Sequence, residues 1–136
     1  MKRLDTQKGQ VLVMSALVMA FLFVPLSVFV IDTALVESSY AQLGETLQAS
    51  AEDGASSIDV AAYRNSNGQI VRLDPVQAKA VADGSIKVAD VAGLHVWTVT
   101  IIGPRVTVTA TLSVQLMVLG TASLSESRSA MFAYGQ

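Results

Sequence analysis

Val11-Leu12-Val13-Met14-Ser15-Ala16-Leu17-Val18-Met19-Ala20-Phe21-Leu22-Phe23-Val24-Pro25-Leu26-Ser27-Val28-Phe29-Val30-Ile31 decides how this chain can fold, because roughly 21 consecutive positions carry no charge. At 1.5 Å per residue a helix of that length is about 30 Å long, the thickness of a bilayer's hydrocarbon core. About fourteen of these residues are Leu, Ile, Val or Phe. Each favours insertion by roughly 0.3–0.6 kcal/mol, which outweighs Ser15, Ser27 and Pro25. Val11, Leu12, Leu17, Phe21, Phe23, Phe29 and Ile31 are therefore expected to anchor the chain in lipid, with Pro25 a place for a kink rather than a break.

The flanks give the anchor a direction. Lys2, Arg3 and Lys8 precede the apolar run, whereas Asp32 and Glu37 follow it. The positive-inside bias then predicts a cytoplasmic N-terminus over residues 1–10, a transmembrane helix over 11–31, and export of everything from Asp32 onward across the cell membrane. A cleaved secretory signal peptide is the competing reading, with Ser39-Tyr40-Ala41 as its small-x-small site. The apolar run exceeds the roughly 7–15 residues usual for such signals, and the site lies well beyond its end, so the anchor is preferred.

Past Ile31 the pattern turns amphipathic. Val36, Tyr40, Leu43, Leu47, Ala51, Ile58 and Ala62 share one helical stripe, opposite Glu37, Ser38, Gln42, Glu45, Gln48, Glu52 and Ser56. The spacing predicts a stalk helix over 32–64, continuous with the anchor from about Gly9 to Ala62, with a break available near Gly54. Val36, Tyr40, Leu43, Leu47 and Ile58 form its expected packing seam, either against the domain that follows or against other subunits in a coiled coil. Asn65-Ser66-Asn67-Gly68 ends the helix, since these residues accept positive φ and bond their own backbone.

Residues 65–136 are expected to form an extracytoplasmic α+β domain. Asp74-Pro75 reads as an N-cap and first-turn pair and Gly84 as a stop, giving a short helix over 75–83. From His95 to Leu116 the period becomes 2. A Gly103-Pro104 loop then predicts a hairpin pairing Ile101 with Val106, Val99 with Val108 and Trp97 with Ala110 on one face, and Thr100 with Thr107 and Thr98 with Thr109 on the other. Ile86–Val91 is a weaker edge-strand candidate, and Ala122–Tyr134 a final strand after a turn at Gly120. In that strand Glu126 and Arg128 share the parity of Leu124 and Ala130, which calls for a bulge or an exposed inner end. The whole is an α+β fold: a long N-terminal transmembrane and stalk helix packed on a small antiparallel sheet of three to four strands.

Composition narrows the function. The chain of 136 residues is 51% hydrophobic and 15% charged with a mean hydropathy of +0.50, too apolar for disorder. A net charge of -2 gives no footprint for a nucleic-acid partner. With no cysteine and a single histidine, His95, on the predicted Trp97 face, no metal or cofactor set is expected. Glu52 and Asp53 are the closest carboxylates, yet adjacent residues do not share a helical face. Ser123, Ser125, Ser127 and Ser129 read as the wet face of a strand rather than as nucleophiles. No catalytic constellation is expected. The threonine ladder Thr98, Thr100, Thr107, Thr109 and Thr111 is either an exposed strand face or a binding surface.

The N-terminal half resembles the TadE/TadG-like proteins of the Tad (Flp, tight adherence) pilus-assembly system. Gly9-Gln10-Val11-Leu12-Val13, Ala16-Leu17, Ile31-Asp32 and Leu47-Gln48-Ala49 leading into Ala51-Glu52-Asp53-Gly54-Ala55 carry the likeness, which covers about fifty residues. Val106-Thr107-Val108-Thr109-Ala110-Thr111 and the stretch from Ser123 to Ala130 are similar, more loosely, to the threonine-rich sheet of short members. The resemblance implies a bitopic envelope protein of a pilus or secretion apparatus, acting as a minor pilin-like subunit or assembly factor. Its implied partners are lipid, copies of itself and other pilus or secretion subunits, and it brings no catalytic residues. Gly9-Gln10 is where a prepilin peptidase would cut. The glutamate expected five residues after that glycine is Met14 here, which implies the branch whose anchor is kept. A membrane-tethered binding or regulatory module, using the threonine face or His95 and Trp97, is the alternative.

Overall fold

A computed structural model describes residues 3–118 and 120–133. The fold is α+β: a helix α1 (Arg3–Ala55), two shorter helices α2 (Val60–Asn65) and α3 (Pro75–Ala89), then three strands β1 (Leu94–Ile102), β2 (Arg105–Gln115) and β3 (Thr121–Met131). Helix α1 runs 53 residues without interruption, about 80 Å at helical rise. Pro25 lies inside it and breaks nothing. The hydroxyl of Ser27 donates to the Phe23 carbonyl at 2.8 Å, so this polar group is satisfied within the apolar run.

The stalk ends earlier than its stripe predicts. Residues 56–59 leave the helix, and Ile58 pairs instead with Leu73 in an isolated antiparallel bridge. Ser56, whose hydroxyl donates to the Asp53 carbonyl at 2.7 Å, and the Asp59 side chain, which caps Ala62 N–H at 2.9 Å, both favour a stop and a fresh start. Helix α2 is therefore separate, and it closes at Asn65 with Asn67 and Gly68 at positive φ (52° and 83°), as the Asn65–Gly68 run predicts. The Asp59 carboxylate holds Arg72 at 2.8 Å and ties this excursion to the segment leading into α3.

Asp74 caps α3 by accepting from Val76 and Gln77 N–H at 2.9 and 3.1 Å. The helix does not stop at Gly84. It continues to Ala89 and turns at Asp90 in the left-handed region, so the predicted edge strand at Ile86–Val91 is mostly helix. A glycine mid-helix costs only about 1 kcal/mol, and burial of Ala78, Ala82 and Ile86 along one face outweighs it.

The sheet has order β1-β2-β3, all antiparallel. The hairpin at Gly103-Pro104 has the predicted register, with Ile101 opposite Val106, Val99 opposite Val108 and Trp97 opposite Ala110. An irregularity between Leu94 and Val96 brings Leu94 opposite Leu112. His95 is exposed, not packed on the Trp97 face as strict alternation predicts. Strand β3 pairs with β2 without a bulge from Arg105–Met131 to Gln115–Thr121. The strand ends at Met131, so Phe132 and Ala133 fall outside it rather than continuing it as predicted; Tyr134 lies outside the described residues, as do Met1 and Lys2 of the N-terminal segment.

One face of the sheet packs on α1 and α3. Leu43, Leu47, Ala51, Ala78, Ala82, Ile86, Val106, Val108, Ala110 and Leu112 form the core, with Trp97 and Leu124 partly buried against it. The other face carries the threonines and serines, where Thr109 and Ser127 share a hydrogen bond of 2.9 Å.

Candidate membrane anchor and packing seam

The two halves of α1 have opposite environments. Within the stretch Gly9–Ala55 lies an 18-residue window of mean hydropathy 2.6, none of it buried against the rest of the chain. Val11, Leu12, Leu17, Phe21, Phe23, Phe29 and Ile31 are all exposed, and the helix is long and apolar enough to cross a membrane. Gln10 and Gly9 stand exposed at its start, with nothing within 4 Å of a Cβ built on Gly9.

From Asp32 onward the same helix becomes the spine of the domain. Of the predicted seam, Leu43 and Leu47 are fully buried, Val36 is half-buried and Tyr40 is exposed. Ile58 is exposed and off the helix. The buried line runs instead through Asp32, Leu43, Gly44, Leu47, Ser50, Ala51, Gly54 and Ala55. A search for large apolar residues alone finds only Leu43 and Leu47 of these eight, because small residues let the neighbouring elements approach. A Cβ on Gly54 would lie 2.9 Å from the Ala78 carbonyl oxygen, and one on Gly44 would lie 3.1 Å from Glu126 Oε2. Ser50 donates to the Thr46 carbonyl at 2.8 Å and so enters the core satisfied.

Glu126 resolves the parity conflict of β3. Its side chain stays on the inner face opposite Ala110, pairs with Arg128 and sits in the space left by Gly44. The residue is 8% exposed, and its Oε2 atom has no hydrogen-bond partner among the described residues. Arg128 reaches solvent, so the inner face opens at this point as one of the two sequence-based alternatives requires.

Asp32 is 3% exposed. Its Oδ1 accepts from Met117 N–H at 2.9 Å and its Oδ2 from Val118 N–H at 3.2 Å, fastening the β2–β3 loop to α1 one residue past the apolar run. The alternation of the strands gave no sign of this contact. The one available signal is an acidic residue directly after the apolar run, where it could cap backbone donors.

Along the rest of the domain, Asp83 accepts from Trp97 Nε1–H at 3.1 Å, linking α3 to β1, and Ser85 donates to Asp53 at 2.6 Å, linking α3 to α1. The Ala62 amide and then the Arg72 guanidinium hold the Asp59 carboxyl below its ordinary value. Among the described residues no three of His, Cys, Asp and Glu come together as metal ligands. The chain matches no family model, no curated protein and no solved structure.

Proposed function

We propose that the chain is a single-pass, non-enzymatic structural or assembly subunit of a cell-envelope filament system of the Tad/Flp pilus kind. In this role its N-terminus is cytoplasmic and its α+β domain extracytoplasmic. The observation that carries this reading is α1 itself: one uninterrupted helix, apolar and uncovered in its first half, is the spine of a packed domain in its second. Such a helix couples the domain rigidly to whatever covers the apolar half, which is either lipid or a dry bundle of identical helices. The basic flank before the span and the acidic residues after it favour the stated orientation. The resemblance of residues 9–55 to TadE/TadG-like proteins supplies the pilus context.

N-terminal sequencing of the protein from membrane and sheared-surface fractions, together with cross-linking, tests the proposal. An intact Met1 in the membrane fraction and a ladder of cross-linked oligomers are expected. Chains beginning mainly at Gln10 would instead indicate peptidase processing, and a full-length chain that purifies as a soluble monomer without detergent would overturn the anchor. The alternative, a tethered binding module, draws on the exposed Thr/Ser face. It requires a protein that stays monomeric in mild detergent and binds a ligand through its exported part.

A further inference from the structure

Leu116-Met117-Val118 leaves β2 as an apolar loop at the end of the sheet nearest the apolar run of α1, and Gly120 opens the return into β3. Met117 and Val118 are each 70% exposed. From Val106 to Ser125 the sequence holds no charged residue, so the loop and the strand residues next to it bring no charge of their own toward lipid. Its height is fixed by Asp32, the first residue after the apolar run, which holds the Met117 and Val118 amides. Leu116 N–H is bonded too, to the Gly120 carbonyl at 2.6 Å. Backbone donors left unsatisfied keep ordinary loops out of low-dielectric surroundings, and here these three donors are already satisfied. Within a turn of Asp32, α1 exposes Phe29, Ile31 and Leu35, so this level of the helix is apolar as well. The interfacial layer of a bilayer extends about 5–7 Å beyond the hydrocarbon on each side, which is where a loop at the level of residue 32 lies.

Resting on the anchor reading above, we propose that the β2–β3 loop is a second membrane contact: Met117 and Val118 enter the outer interfacial layer of the bilayer, with Asp32 as the positioning residue that clamps the loop there. Two points of attachment fix how the sheet is turned about the α1 axis. The Thr/Ser face is then held in one orientation to the membrane normal instead of swivelling.

The chain has no cysteine, so a nitroxide can be placed at one position at a time in the full-length protein, reconstituted in phosphatidylcholine vesicles. Val118→Cys reports the loop, Phe21→Cys the span and Thr100→Cys the distal outer face. The ratio of accessibility to oxygen over a water-soluble nickel complex is expected to be several-fold higher at position 118 than at 100, and highest at 21. A water-like ratio at 118 with a lipid-like one at 21 overturns the loop contact and leaves the anchor standing. Water-like ratios at both overturn the anchor as well. Spin–spin broadening at 118 with poor access to either reagent assigns the loop to a second copy of the chain and overturns the lipid contact. Adding Asp32→Asn should bring the ratio at 118 down toward that at 100 while the Thr100 spectrum stays unchanged, which reports an intact sheet. An unchanged ratio at 118 removes Asp32 from the clamp.

Discussion

Glu126 shows what a single residue costs when alternation turns it inward. An ionised carboxylate at 8% exposure is tolerable because Arg128, two residues along the same face, neutralises it, and because Gly44 leaves room for both. Removing the cation alone strands the anion. Arg128→Ala is therefore expected to destabilise the domain by about 1–3 kcal/mol, whereas the pair Glu126→Ala with Arg128→Ala should recover most of that loss. A double-mutant cycle by thermal melting of the detergent-solubilised chain checks it, and additive losses would deny the coupling. Asp59 makes the matching argument for pH. Its carboxyl lies below the ordinary value of 3.8 in the folded chain, so its contribution is present above that value and fades as pH falls through the lower, folded one. As pH falls through that lower value the tie between residues 59 and 72 should loosen, and Asp59→Asn should remove that acid-side sensitivity in amide exchange across α2.

At the scale of elements, two glycines with the same propensity have opposite roles. Gly54 of α1 sits where a Cβ would meet the Ala78 carbonyl oxygen at 2.9 Å, while a Cβ on Gly84 of α3 meets nothing within 4 Å. Gly84→Ala should stabilise by about 0.5–1 kcal/mol, the ordinary gain of alanine over glycine inside a helix. Gly54→Ala earns the same propensity gain but must push α3 away from α1, for a net loss of about 1–3 kcal/mol. Melting temperatures of the two variants moving in opposite directions would bear this out. The same pair marks the limit of what was legible beforehand. The hairpin at Gly103-Pro104 could be registered residue by residue because a two-residue turn and a period of 2 leave no freedom. Gly84 was misjudged as a stop because sequence reveals the propensity cost but not the Ala78, Ala82 and Ile86 face that overrides it. The seam of α1 was half visible for the same reason. Leu43 and Leu47 stand out as apolar, but Asp32, Gly44, Ser50 and Gly54 earn their buried places only through neighbours distant in sequence. The bulge that exposes His95 left no mark in the alternation of β1.

For the molecule as a whole, the division of α1 into an uncovered half and a packed half separates the apolar run from the folded domain. None of the described residues ahead of Asp32 belongs to the core, whose nearest member on α1 is Leu43. Strand β3 runs alongside the packed half for its full length. Thr121 follows the loop that Asp32 holds, Glu126 lies against Gly44, and Ala130 and Phe132 come beside Glu52 and Ala55. The lengths agree, since the 24 helical residues from 32 to 55 and eleven strand residues both span about 35 Å. Folding energy therefore resides between residues 32 and 133, and the uncovered apolar half is left for the proposed anchor. A chain beginning at Asp32 is expected to remain folded and monomeric in water, with a melting temperature within about 5 °C of the full chain in detergent, a shift worth roughly 1 kcal/mol for a domain of this size. Circular dichroism and sedimentation check both parts. A shortened chain that is unfolded or molten would mean that the apolar half stabilises the domain through contacts with other copies, and that the domain cannot be considered apart from its assembly.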